Sequence, residues 1–239
     1  MAVEQGQQLW KPTQQQIEHS GLWHYMGWLR DSRGRDFLDY EALWQWSATD
    51  IEGFWRSVWD YFEIQADGDP GRVLSTHQMP GAQWFPDTSL NYAEHIFRNA
   101  SDARPAIIAR CEGNAPVEVS WQQLQRDVGA LAATLRKLDI GPGDRVVAYL
   151  PNVPQTVVAF LACVSIGAIW SSCAPEMGVS VVLDRFQQIA PKLIFATDSY
   201  TYASRQFDRR EVLDEVLQGL PDIARVIHVP GPLFGSDAE

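Results

Sequence analysis

The sequence predicts an α/β protein: a Trp-rich helical N-terminal extension followed by a partial, mostly parallel βαβ sheet subdomain. Two observations lead there. Eight of the ten tryptophans lie at or before Trp84, in a region of amphipathic helical runs. After about Ser101, buried-type strands alternate with helical runs of ten or more residues. That alternation implies right-handed crossovers and a sheet covered on both faces. The division expected is residues 1–100 for the extension and 101–239 for the sheet subdomain.

In the extension, Thr13 to Gln16 has capping-box form and predicts a helix through about Arg30. Thr49 to Glu52 has the same form and opens a second helix. There Phe54, Trp55, Val58 and Phe62 fall on one face. Ala66 to Arg72, "ADGDPGR", is a turn. In "WFPDTSLNYAEH", Asn91 is placed to accept from an orphan backbone N–H. Glu94 stands at the third helical position, where the dipole favours an acid.

In the second region, Ala106–Arg110 and Pro116–Val119 predict a hairpin around "CEGNA". Ser120 to Gln123 reads as a capping box. It opens a helix in which Trp121, Leu124, Val128, Leu131, Leu135 and Leu138 recur at helical spacing. Asp139 falls where the helix stop calls for a left-handed residue. Arg145–Leu150 is a buried strand, and Pro154 suits the first turn of a helix ending near Gly167. Ala168–Ser172, Leu193–Thr197 and Arg225–Val229 read as strands; Val179–Ile189 and Glu211–Leu217 read as helices.

Composition narrows the function. The net charge of −11 disfavours a phosphate-backbone partner, so no nucleic acid is expected. Three cysteines without CxxC spacing (Cys111, Cys163 and Cys173) read as reduced thiols of a cytoplasmic protein. The oily run Val157–Trp170 is too short to span a bilayer, and no membrane is expected.

Parallel sheets bind ligands beyond the carboxyl ends of their strands. That points to "PNVP" after Leu150, "SSCAPEMG" after Trp170 and "DSYTYASR" after Thr197. The "GPG" at Gly141–Gly143 follows a helix and precedes a strand, the reverse of a dinucleotide fingerprint. No Walker loop, GxSxG elbow or metal-ligand histidine spacing occurs, so no catalytic or metal residue is assigned. Cys173 has no sequence-local base and reads as packing. In "YASRQFDRR", Arg205, Arg209 and Arg210 have forks that suit phosphate, and Tyr202 offers a face for stacking. A solvated helix start in an acidic protein is the competing reading.

Taken together, "LWKPT", "WSATDIEGFW", "WFPDTSLNYAEH", "GPGDRVVAYLPNVPQTVVAFLACVSIGAIWSSCAPEMG" and "VLDRFQQIAPKLIFATD" resemble the acetoacetyl-CoA synthetases, within the adenylate-forming acyl-CoA synthetase superfamily. The resemblance runs from Leu9 to about Arg210. "IWSSCAPEMG" points to the acetoacetyl branch, because the acetyl and propionyl enzymes carry a glycine-rich turn there.

The resemblance implies ATP, Mg²⁺ and CoA as cofactors of the full-length enzyme. ATP and acetoacetate would give an acyl-adenylate and pyrophosphate, and the CoA thiol would then displace AMP. It implies a CoA-contacting loop at Tyr202, Ala203, Ser204 and Arg205, with the Arg205 cation meeting phosphates. Ala174 would line the CoA path. The branch often carries Gly-Gly-Lys where this chain has Ala203, Ser204 and Arg205. It implies, too, that Trp84–His95 is a structural clasp rather than a site.

The resemblance also exposes an absence. The Ser/Thr/Gly-rich phosphate loop ending in Lys has no counterpart, and Lys11, Lys137 and Lys192 lie in unsuitable contexts. The expectation is an N-terminal fragment of acetoacetate–CoA ligase, inactive alone, whose missing partner is the C-terminal part of the same enzyme. A fragment of another short-chain acyl-CoA synthetase, or a non-catalytic derivative that binds CoA or a partner chain, stays open.

Overall fold

A computed structural model describes residues 3–112 and 115–231. The centre of the "CEGNA" turn and the stretch from residue 232 lie outside the described residues. The chain forms two compact units, Met1–Leu90 and Asn91–Glu239.

The first unit opens with α1 (Gln14–Glu18) and α2 (Gly21–Arg33), where the spacing predicted one helix. Ser20 makes the break. Its hydroxyl donates to the Ile17 carbonyl at 2.7 Å and accepts from the Trp23 N–H at 3.1 Å, closing one helix while capping the next. The Thr13 capping box is present in full.

No sequence pattern marks α3 (Tyr40–Thr49), which Asp39 caps by accepting from the Ala42 N–H at 2.9 Å. Thr49 therefore ends a helix. The cap of α4 (Ile51–Tyr61) is Asp50, which accepts from the Gly53 N–H at 3.0 Å and from the Trp46 indole N–H at 2.9 Å.

Tyr25, Leu29, Leu43 and Trp46 form the core of this unit, with Phe54 and Val58 packed on it. The expected four-residue apolar face splits here. Trp55 and Phe62 are 43% and 52% exposed, and Trp55 meets Trp84 edge-on at 5.6 Å. Short β1 (Asp67–Gly68) and β2 (Thr88–Ser89) pair antiparallel, and Phe85 packs on Trp59 at 4.3 Å.

The second unit begins with α5 (Tyr92–Phe97). Asn91 caps it, accepting from the Ala93 and Glu94 N–H groups, and donates its own amide to the Ser165 carbonyl at 2.9 Å. Residues Trp84–His95 therefore divide between the units, with Trp84 and Phe85 in the first and α5, including Tyr92 against Phe160, in the second.

β3 (Ile107–Ala109) and β4 (Val117–Val119) pair antiparallel as predicted. Ser120 caps α6 (Trp121–Lys137), but the reciprocal half of the expected capping box is not made. The Gln123 amide instead donates to Asp127 at 2.7 Å. Asp139 does take the left-handed position, at φ 60°.

The remaining elements are β5 (Arg145–Tyr149), α7 (Pro154–Ser165), β6 (Ile169–Cys173), α8 (Val179–Gln187), β7 (Leu193–Ala196), β8 (Ser199–Tyr202), β9 (Arg205–Asp208), α9 (Arg210–Gln218) and β10 (Arg225–His228). The main sheet is parallel in the order β10-β7-β5-β6.

The two faces of β5 and β7 explain the run of buried apolar residues there. Val146, Ala148, Leu193 and Phe195 pack with α6 and α7 on one side. Val147, Tyr149, Ile194 and Ala196 pack with α8 and α9 on the other. A strand buried on both faces reads as a continuous apolar run.

Within the second unit, the element that no sequence pattern marks is the antiparallel hairpin β8–β9. Its strands are polar and short, and its turn lacks the Asn-Gly signal.

Candidate functional site

The chain leaves β5 for the β6 side of the sheet, then crosses to β7 on the other side. The carboxyl ends of β5 and β7 therefore flank the topological switch point, where open α/β sheets bind ligands. A largely apolar cavity of about 590 Å³ lies there, lined by Pro151, Val153, Gln155, Thr197 and Val229, among others.

Immediately beyond β7, Thr197, Asp198 and Ser199 are buried and mutually satisfied. Thr197 donates to the Ser199 carbonyl at 2.9 Å. One Asp198 oxygen accepts from the Ser199 hydroxyl and the Gly231 N–H, each at 3.0 Å; the other lies 3.3 Å from the His228 ring. A Cβ on Gly231 would sit 2.2 Å from the Ser199 hydroxyl, so only glycine allows this approach.

This packed polar base projects the β8–β9 hairpin. Tyr202 pairs with Arg205 across a two-residue turn. Ala203 and Ser204 both have positive φ, 48° and 59°, as a type I′ turn requires. Their N–H groups converge on the carboxylate of Glu112, at 3.1 and 2.5 Å. Glu112 lies some ninety residues from this turn in sequence, so no local pattern marks it as a partner.

Tyr202 is 68% exposed, and Arg205 is exposed with no ion pair among the described residues. The other two arginines of the cluster are engaged. Arg209 lies over the Tyr200 ring at 5.1 Å and donates to its hydroxyl at 2.9 Å. Arg210 chelates Asp208 and holds that carboxyl down at about 2. The arginines thus separate into two that build the hairpin's base and one that faces solvent.

Ala174 follows β6, on the other side of β5 from the hairpin. It starts a turn closed by the Met177 N–H to its carbonyl at 3.0 Å. The buried Tyr149 hydroxyl lies 2.5 Å from the Pro175 carbonyl and 2.9 Å from that of Met177, fixing the turn. Burial raises the Tyr149 pKa, and the Arg209 cation opposes the rise; Tyr200 and Glu176 also act on it. Tyr149 thus lies electrostatically between the Ala174 turn and the hairpin. No hydrogen bond joins Ala174 directly to Tyr202–Arg205 among the described residues.

The other candidates are structural. Burial pushes the Cys163 thiol up to about 12 and raises that of Cys173. Lys192 sits at the amino end of β7, bound to Asp139 and, at 3.2 Å, to Asp144, at the far end of the sheet from the site. Among the described residues no group of three His, Cys, Asp or Glu could hold a metal ion. No helix there is long and apolar enough to cross a membrane.

A parallel sheet with a polar hairpin beyond its switch point fits a nucleotide-using α/β enzyme. The family model described as "AMP-binding enzyme" matches residues 96–236, and that described as "Acetyl-coenzyme A synthetase N-terminus" matches residues 40–96. The chain belongs to the AMP-binding enzyme family.

Within that family it is similar to acetoacetyl-CoA synthetases. It is 38% identical over 200 residues to the one from Rhizobium meliloti, covering 84% of this chain and 31% of that one. To the Danio rerio protein it is 40% identical over 200 residues, covering 82% and 30%. The solved structure "Acetoacetyl-CoA Synthetase from Streptomyces lividans" superposes with a TM-score of 0.89 at 42% identity, covering 98% of this chain and 36% of that one. The chain thus spans about a third of the length of the relatives it matches.

Proposed function

We propose that this chain is the N-terminal part of a cytoplasmic acetoacetate–CoA ligase, comprising the extension (1–100) and the first part of the adenylation domain (101–239). The whole enzyme would convert ATP, acetoacetate and CoA to acetoacetyl-CoA, AMP and pyrophosphate, with Mg²⁺ on the nucleotide. This portion contributes to holding CoA. The observation that carries this reading is the hairpin at Tyr202–Arg205. There an exposed guanidinium, with no ion pair among the described residues, follows two converging backbone N–H groups, a pattern that recognises phosphate.

Residue by residue, Arg205 supplies charge, Ala203 and Ser204 supply backbone donors, and Tyr202 supplies a ring for a base. Ala174 lines the approach of the carrier. These residues suit the phosphates of CoA. ATP fits less well, since neither a phosphate loop nor a free lysine stands at the carboxyl end of the sheet among the described residues. The chain assayed as given is therefore expected not to form an adenylate, because groups that would neutralise the triphosphate in the transition state are missing.

Acetoacetate-dependent ATP–pyrophosphate exchange tests this directly. None is expected from this chain, and exchange above a heat-treated control would overturn the assignment of inactivity. For the substrate, the full-length enzyme assayed with acetate, propionate and acetoacetate should prefer acetoacetate. Preference for another acid would favour a different short-chain acyl-CoA synthetase.

A further inference from the structure

The Ala203–Ser204 turn already holds an anion. Successive residues at φ 48° and 59° aim neighbouring N–H groups to one side, forming a small concave seat for negative charge. The Glu112 carboxylate fills that seat, accepting from both N–H groups. It comes from the end of the β3–β4 hairpin, so one acid bridges two hairpins distant in sequence. Arg205 stands next in the chain, yet makes no ion pair among the described residues. The seat is thus satisfied by an internal acid while the adjacent cation is left over.

A singly charged carboxylate suits two N–H donors. A phosphate monoester brings three acceptor oxygens and about −1.5 to −2 charges, and a diphosphate spreads its oxygens over two groups; either can engage both N–H groups and a guanidinium together. A carboxylate ligand would gain little by replacing Glu112; a phosphate would gain the Arg205 contact as well.

We propose that Glu112 is a specificity-determining residue of the carrier site: an internal carboxylate that occupies the turn in the free protein and yields only to a phosphate group. This rests on the CoA-binding reading above. Glu112 exchanges one set of hydrogen bonds for another, with no bond made or broken. Its occupancy lowers the apparent affinity for every ligand of the seat by the fraction of time the seat is open. Phosphates recover that loss through Arg205, and carboxylates do not.

The test is titration of this chain, as wild type, Glu112→Gln and Arg205→Ala, with CoA and with dephospho-CoA, followed by calorimetry and by the amide resonances of Ala203 and Ser204. Glu112→Gln should bind CoA about tenfold more tightly, the ratio expected if the seat is open a tenth of the time. Its two amide signals should also move before any ligand is added. Arg205→Ala should weaken CoA.

Tightening confined to CoA assigns displacement to the ribose phosphate, and tightening of both carriers assigns it to the diphosphate; either supports the proposal. Equal CoA affinity in wild type and Glu112→Gln overturns it and leaves the CoA reading standing. No amide response to CoA in either protein overturns both. A check independent of folding of the variants is the Glu112 side-chain carboxyl carbon in the wild type. Its chemical shift should move as CoA saturates, and an unmoved signal at saturation overturns the proposal.

Discussion

The Tyr149 hydroxyl lies 2.5 Å from the Pro175 carbonyl oxygen and 2.9 Å from that of Met177, so one phenol at the end of β5 fixes the turn that follows β6. Tyr149 is fully buried, and both carbonyls depend on it. Tyr149→Phe keeps the ring and removes the donor. It is expected to destabilise the second unit by about 1–2 kcal/mol, the cost of leaving buried acceptors unsatisfied. Urea unfolding of the two proteins would measure this. Backbone exchange at Met177 should rise with it, and an unchanged midpoint would mean that the turn holds without the phenol.

The hairpin turn carries strain that a smaller residue relieves. Ser204 at φ 59° pays the left-handed cost of roughly 1–2 kcal/mol that glycine avoids. Ser204→Gly should therefore stabilise the chain by about 0.5–1 kcal/mol, offset in part by greater freedom of the unfolded chain. The N–H that Glu112 accepts is retained. Thermal unfolding should show a higher midpoint; a lower one would indicate that the side chain contributes more than the backbone loses.

Asp144 supplies the acid sensitivity of the amino end of the sheet. The Gly141 N–H, at 2.9 Å, is the main influence lowering its pKa below 3.8, with Lys192 adding to it. A lowered folded-state pKa means that stability is present above pH 3.8 and is lost as pH falls through the folded value. Asp144→Asn should cost about 1 kcal/mol at neutral pH. The gap between the two proteins should close as pH drops below that value. Denaturant midpoints across pH 2–7, a range of about five units, would show a constant gap if Asp144 were not the titrating group.

Thiol reactivity should separate the three cysteines. Cys111 is exposed, whereas Cys163 is buried with its pKa pushed up to about 12. Under native conditions at mildly alkaline pH, iodoacetamide should label Cys111 first and leave Cys163 unmodified until unfolding. Peptide mass analysis after a timed reaction reads this. Native labelling of Cys163 at the rate of Cys111 would show that the α7 core opens readily.

The parallel sheet was legible because burial on two faces writes apolar runs into β5 and β7, and because helices of regular spacing separate them. The capping of α5 by Asn91 and the left-handed Asp139 were legible for the same local reason: one residue's chemistry decides each. Helix α3 was not, since its buried contacts reduce to Leu43 and Trp46, too few to show a period. The break at Ser20 was hidden because the same serine serves two helices.

At the site, the sequence pointed to Tyr202–Arg205 through the strand before it and a family resemblance. The hairpin and its Glu112 partner were invisible, because Ala-Ser is a poor turn signal and the carboxylate arrives from another hairpin. The division of labour among Arg205, Arg209 and Arg210 likewise depends on Tyr200 and Asp208 in three dimensions.

The proposed half-site would grip a thioester carrier in preference to a nucleotide triphosphate. Calorimetric titration of one sample of this chain with CoA and with Mg²⁺–ATP tests it most directly. Saturable CoA binding that Arg205→Ala weakens is expected, with Mg²⁺–ATP bound far more weakly than CoA. Tight ATP binding, or CoA binding indifferent to Arg205, would contradict it.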